Sequence, residues 1–265
     1  MQGYILHKSK KIHFRDQGEG NTIVLLHGFL ENMGMWNYYV KKLSAKYRII
    51  TIDLPGFGKS DCLGRVHLME QMATVVNKVL KSREVKKCVM LGHSMGGYVT
   101  LAFASKFPGK LKGFGLLHSH AMADTAEAKL NRNRAIEIVN SDKRHFIFNF
   151  FPELFAPENV EKHQKEIQKL YADAVRTSPR SIVAALEGMK YRFDRLNVLV
   201  KSKVPVLFVL GKKDSRIPLQ KTLDQATLPS TSEILVLDKV GHMGHIEARK
   251  KVLKTIESFA SKSFE

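Results

Sequence analysis

The stretch Val89-Met90-Leu91-Gly92-His93-Ser94-Met95-Gly96-Gly97-Tyr98-Val99 constrains this chain more than any other. An apolar run, a serine between two glycines and a second apolar run that continues to Phe107 read as a buried strand, a sharp turn and a helix. In this G-x-S-x-G pattern Gly92 and Gly96 carry no side chain, so strand and helix can close on each other around a strained backbone. Ser94 then stands clear of the turn with its Oγ open to a substrate. The helix behind it aims unpaired N–H groups and the positive end of its dipole at the same point, which suits a developing oxyanion. Taken alone, the pattern serves a nucleophile and a helix-capping serine equally well.

The rest of the chain repeats strand and helix around this turn. Tyr4 to Lys8 and Lys11 to Asp16 alternate in the manner of a hairpin, and Thr22 to Leu26, Arg48 to Leu54, Val85 to Leu91 and Leu111 to Leu117 are apolar runs of buried strands. Helical spacing fills Trp36 to Tyr47 and Met69 to Lys81 between them. This order implies an α/β fold: a mostly parallel sheet with helices on both faces, whose ligands bind at the carboxyl ends of the strands. His27, Asp53 and Ser94 all fall at such ends.

After Leu117 the rhythm stops, and residues 121–196 show only helical pattern: Glu127 to Val139, Lys143 to Phe151, Glu158 to Val175 and Pro179 to Tyr191. The expectation is a sheet domain of residues 1–120 and 197–265 carrying an all-helical cap, or lid, of residues 121–196. The aromatic run that includes Phe148 and Phe151 either roofs a pocket or packs the lid's own interior, and both readings stay open.

Strands resume at Val204 to Leu210 and Glu233 to Leu237, followed by Gly211-Lys212-Lys213-Asp214 and Gly241-His242. Three strand ends thus supply a serine, an acid and a histidine in the order Ser94, Asp214, His242. Asp214 would orient His242, and His242 would take the Ser94 proton. Asp53 begins a Pro/Gly turn and reads as a structural carboxylate. Asp124 is the only carboxylate soon after the strand ending at Leu117, and Asp214 is preferred to it. His118 and His120 lie two apart and face one side if the strand persists, near His93, His242 and His245. No carboxylate or cysteine sits at ligand spacing with them, so they read as neutral histidines lining a wet pocket, with no metal expected. His245 and Glu247 start the last helix, where the carboxylate complements its N-terminus.

Together these motifs resemble the α/β-hydrolase superfamily, in its cap-bearing, small serine-esterase-like branch. They are His27-Gly28-Phe29, Asp53-Leu54-Pro55-Gly56-Phe57-Gly58-Lys59-Ser60, Gly92-His93-Ser94-Met95-Gly96-Gly97, Gly211-Lys212-Lys213-Asp214 and Gly241-His242. The resemblance covers essentially the whole sheet domain. It implies an α/β-hydrolase fold, Ser94 as nucleophile, His242 as base and then acid, Asp214 as its partner, and the backbone N–H groups of Phe29 and Met95 as oxyanion hole. A serine at the turn argues against dehalogenases and epoxide hydrolases, which attack with aspartate. His27-Gly28-Phe29-Leu30 lacks the glycine run of the hormone-sensitive-lipase-like branch.

The expected function is cleavage of a small carboxylic ester or thioester through an acyl-enzyme, with no cofactor. Alternatives are C–C hydrolysis of a β-diketone-like substrate by the same triad, and a hydrolase-fold ligand receptor. The expected pocket includes His27, His93, His118, His120, Phe148 and Phe151. The two cysteines, Cys62 and Cys88, are too few for a disulfide framework, and no run resembles a signal peptide or membrane span, so a cytoplasmic protein is expected. The formal charge of +18 admits an acidic carrier protein or an anionic substrate. No nucleic-acid-binding motif accompanies it.

Overall fold

The central strands send alternate side chains into two different cores. Val24 and Leu26 join the larger apolar cluster while Ile23 and Leu25 join the smaller one, and Met90 against Val89 and Leu91 repeats the pattern. A strand buried on both faces has no polar alternation, which is why these segments are continuous apolar runs. Each large side chain removed from water there contributes about 1.5–3 kcal/mol.

The computed structural model describes all residues 1–265. Its strands are β1 (Gln2–His7), β2 (Lys10–Gln17), β3 (Thr22–Leu26), β4 (Arg48–Ile52), β5 (Cys88–His93), β6 (Leu111–Leu117), β7 (Val206–Gly211) and β8 (Ser232–Leu237). They form one eight-stranded sheet in the order β1-β2-β4-β3-β5-β6-β7-β8. β1 and β2 are antiparallel to their neighbours, and β3 to β8 run parallel. The register pairs Leu26 with Gly92, His93 with Leu117 and Gly211 with Leu237, so the loops carrying Phe29, Ser94, Asp214 and His242 leave one edge of the sheet.

Helices α1 (Asn37–Leu43) and, at the chain's end, α10 (Arg249–Phe264) cover the face of the smaller cluster through Trp36, Tyr39, Val252 and Phe259. Helices α2 (Met69–Ser82) and α3 (Met95–Lys106) cover the other face through Met72, Val76, Val99 and Phe103. Between β6 and β7 lie α4 (Ala126–Phe150), α5 (Gln164–Ala174), α6 (Pro179–Lys190) and α7 (Leu196–Val200); α8 (Leu219–Ala226) and α9 (Gly244–Glu247) follow later. Within α4 the two helices expected over Glu127 to Phe151 meet at a kink at Asp142, whose φ of −146° and ψ of 87° are not helical. The helix expected from Glu158 is shorter, because Pro157–Asn159 forms a 3₁₀ turn and regular helix begins only at Gln164. No helix is long and apolar enough to cross a membrane.

Candidate active site

Ser94 sits between β5 and α3 with φ 50° and ψ −116°, a conformation that L side chains seldom adopt. A Cβ on Gly92 would run into the Gly96 backbone, and one on Gly96 into the Leu26 carbonyl, so the close approach requires both glycines. Ser94 occupies the N-cap position of α3, yet its side chain makes no capping hydrogen bond. The hydroxyl lines a cavity of about 620 Å³ that also exposes His242 and Phe29.

The histidine is held from behind. His242 Nδ1 lies 2.9 and 3.0 Å from the two Asp214 carboxylate oxygens, which leaves Nε2 as its remaining ring nitrogen. His118 Nδ1 contacts the same carboxylate at 3.1 Å, and the backbone N–H groups of Arg216 and Ile217 donate to it at 2.9 and 3.0 Å. Burial alone would raise the Asp214 pKa, but the charge of His242 and the hydrogen bonds from His118 and His242 hold it far below the usual carboxylate range. Asp214 is therefore ionised and fixed at physiological pH.

Glu247 does more than begin a helix. Its carboxylate accepts from the N–H groups of Gly241, Ala156 and Met243, pinning the segment that carries His242 to the helical block. Asp53 is a structural carboxylate, accepting from Met33 and Lys59 N–H and contacting His13 at 2.8 Å.

Residues 21–249 match the family described as the alpha/beta hydrolase fold. The chain belongs to the α/β-hydrolase family. A thermophilic esterase from Thermogutta terrifontis, solved with malate bound, superposes on this hydrolase with a TM-score of 0.93 at 30% identity, covering 99% of each chain. The pimeloyl-[acyl-carrier protein] methyl ester esterase of Vibrio vulnificus is 23% identical over 96% of this chain and 100% of its own length. The dihydrolipoyllysine-residue acetyltransferase component of an acetoin cleaving system from Pseudomonas putida is 29% identical over 92% of this chain, which spans 65% of that relative. Family and neighbours support a hydrolase enzyme.

The hydrolase's cavity wall differs from the expected one. Of the six expected pocket residues, His120 lines the cavity, with Tyr98 and Arg192 beside it. His27 lies within the wall: its Nε2 accepts from Leu54 N–H at 2.8 Å and its Nδ1 donates to the Gly28 carbonyl at 2.7 Å, bracing the loop that carries Phe29. His93 is buried against Glu31, and His118 against Asp214. His118 and His120 do not share a site, because the chain leaves the strand at His118, where φ is 49°. Phe148 is 66% exposed and Phe151 wholly buried, while Phe146 and Phe150 line the cavity. The run Phe146 to Phe151 carries no sign of its helical phase; α4 turns positions 146 and 150 inward, which places 148 on the far side.

Two other wall features lay outside the sequence expectations. Arg132 and Arg192 converge on the single carboxylate of Asp124, and the Arg192 guanidinium lies 4.1 Å from the Tyr98 ring centroid. Asp124 is thereby neutralised, with its pKa lowered as the two arginines overcome the effect of burial. Glu31, four residues after His27 in His-Gly-Phe-Leu-Glu, was an available signal that carried no assignment.

Proposed function

We propose that this chain is a serine hydrolase that cleaves a small carboxylic ester or thioester through an acyl-enzyme. The observation that carries the reading is that Ser94, uncommitted at a strained turn, opens on the same cavity as His242, whose Nδ1 is held by Asp214. In this reading His242 Nε2 takes the Ser94 proton as Oγ attacks the carbonyl carbon. The Phe29 and Met95 N–H groups receive the oxyanion, and His242 returns the proton to the departing alcohol or thiol. Water, activated by the same histidine, then releases the acid.

The wall chemistry favours a substrate with an anionic end. Two arginines share Asp124, Arg216 pairs with Glu153 at 2.5 Å, and Lys221 adds a further cation, so positive charge exceeds negative around the cavity. The Thermogutta esterase was solved with malate, an anion, bound, which supports the same preference. Residues 121–196 act in this reading as the lid that frames the entrance and sets acyl length, with Phe146 and Phe150 at its inner surface.

Nitrophenyl esters of increasing chain length, with and without a terminal carboxylate, are the test on wild type and Ser94→Ala. Expected are a burst of nitrophenol in wild type, higher kcat/KM for the carboxylate-bearing series, and no turnover by the variant. Retention of turnover by Ser94→Ala on every ester would remove the nucleophile. Turnover confined to a β-diketone-like substrate would instead assign C–C cleavage to the same residues.

A further inference from the structure

Behind the wall of the Ser94 cavity lies a second cluster that the proposed reaction does not use. Glu31 after β3, His93 at the end of β5 and His245 in α9 are 4%, 1% and 3% exposed, and their ligand-capable atoms lie within 4.8 Å of one another. Glu31 Oε1 and both ring nitrogens of His245 have no hydrogen-bond partner. Folded interiors satisfy such atoms almost everywhere, and orphans gathered at one point mark the place of a water or an ion.

The protons of His93 sharpen the choice. Its Nδ1 is 2.8 Å from Glu31 Oε2 and its Nε2 is 2.9 Å from the main-chain carbonyl of His242. Both neighbours accept, whereas a neutral imidazole has one N–H. Either the ring is an imidazolium paired with Glu31, or its Nδ1 lone pair faces a cation while Nε2–H donates to the carbonyl. The second arrangement is how metal-bound histidines are oriented.

The spacing suits a metal at one edge. Glu31 Oε1 and His245 Nε2 are 3.5 Å apart, which is too long for a good hydrogen bond. Two ligands at about 2.0–2.1 Å from tetrahedral zinc are separated by about 3.3 Å. His93 Nδ1 would open from the carboxylate by about half an ångström to take its corner. The Gly28 N–H donates to Glu31 Oε2 at 2.9 Å and fixes the carboxylate from outside. A second cavity of about 320 Å³, lined by Glu31, His245, Glu166 and Asp173 among others, offers an entry path and room for water.

We propose that Glu31, His93 and His245 form a buried site for one divalent first-row transition ion of the zinc type, with water from the second cavity as fourth ligand. Imidazole and carboxylate donors suit that ion. Once loaded, the site ties the loop carrying Phe29, the residue before Ser94 and the segment carrying His242 to a single charge. It makes and breaks no bond of the substrate and stands independently of the hydrolase reading.

The full chain, stripped with a chelator and dialysed, is titrated with Zn²⁺ by calorimetry and with Co²⁺ by visible absorption. Wild type is expected to take up one equivalent with the intense absorption of a four-coordinate Co²⁺ ion, and Glu31→Gln and His245→Phe each to weaken binding by at least about tenfold. Asp214→Asn, which alters the other carboxylate–histidine cluster, should keep that equivalent. No binding by wild type, undiminished binding in Glu31→Gln and His245→Phe, or loss in Asp214→Asn overturns the proposal. Should the Glu31 and His245 variants fail to fold by circular dichroism, the imidazole nitrogen NMR signals of wild type decide. Zn²⁺ must shift His93 Nδ1 and His245 Nε2, and a His93 ring that stays doubly protonated in excess Zn²⁺ assigns the buried ion pair instead.

Discussion

Asp214 with His118 and His242, and Glu31 with His93 and His245, are two clusters of the same composition, one carboxylate and two histidines each. They are neighbours, with the His93 and His242 ring centroids 5.1 Å apart. Asp214 receives two histidines and two backbone N–H groups, whereas Glu31 Oε1 has no partner. Both carboxyls lie below their usual range although burial pushes the other way; His93 holds Glu31 at about 2, and His242 with His118 holds Asp214 lower still. The first cluster opens on a cavity with Ser94, and the second on a cavity lined by no serine, threonine or cysteine. A carboxylate–histidine pair is therefore not a catalytic signature by itself. The surroundings of the pair differ: His242 lines the cavity that Ser94 also lines, whereas His93 Nε2 lies against the main-chain carbonyl of His242.

The strongest way to break this contrast is to remove each cluster's key group in turn. Ser94→Ala should cut kcat by about 10⁶-fold, and Asp214→Asn, which frees the wrong tautomer of His242, by about 10⁴-fold. Glu31→Gln reaches His242 only through the main chain and should cost no more than about 100-fold. Single-turnover kinetics on a nitrophenyl ester measures all three, and equal losses in Asp214→Asn and Glu31→Gln would erase the distinction between the clusters.

Packing on the aromatic run of α4 gives the next largest effect. Phe151→Ala should destabilise the fold by about 3–5 kcal/mol, because the ring is wholly buried. Phe148→Ala should stay within about 0.5 kcal/mol. Urea denaturation separates them, and a similar loss at both positions would contradict the helical phase described above.

Acid stability sharpens the comparison from another side. Burial lowers the His118 pKa to about 4 despite its contact with Asp214. The unfolded chain, with a histidine pKa near 6.5, therefore binds the proton first, and stability falls as pH drops from about 6.5 towards 4, by roughly 3 kcal/mol for this group. Glu31, at about 2, has the carboxylate sign: its contribution is complete above about pH 4.3 and is lost as pH falls towards 2. His118→Asn, whose side chain tolerates the positive φ, should make the fall of the urea midpoint between pH 6.5 and 4 shallower, the rest of that fall coming from His27, His67, His120 and His245, whose pKa values burial also lowers. A midpoint that falls as steeply in the variant would remove His118 from this role.

The smallest expected effect concerns the surface charge. The kcat/KM for an ester on an acidic carrier should fall several-fold between low salt and about 0.1 M, where the Debye length is about 10 Å, while a neutral nitrophenyl ester stays flat. Parallel flat profiles would leave the charge without a partner.

Much of this molecule was legible in advance because its signals are local. Strands β3 to β8 follow from apolar runs and the β1–β2 pair from alternation, and the break in α4 coincides with the polar gap around Asp142. The order Ser94, Asp214, His242 at strand ends was readable because a parallel sheet presents those ends along one edge. The pocket wall was not: of its four expected histidines, three are buried behind it. A histidine at a strand end can point into the cavity or brace the loop beneath it, and its chain position is the same either way.

By itself the sequence determined the doubly covered sheet, the glycines at the Ser94 turn and the candidates for nucleophile, acid and base, since periodicity and steric demand act within a few residues. Only the tertiary structure decided which side of the wall each histidine occupies, that Arg132 and Arg192 share Asp124, and that Glu31 meets His93 and His245. Glu31 and His93 are 62 positions apart in the chain and 2.8 Å apart in space. Hydrogen-bond pairing, helical phase and burial across such separations are set when the sheet brings its loops together, and no local pattern encodes them.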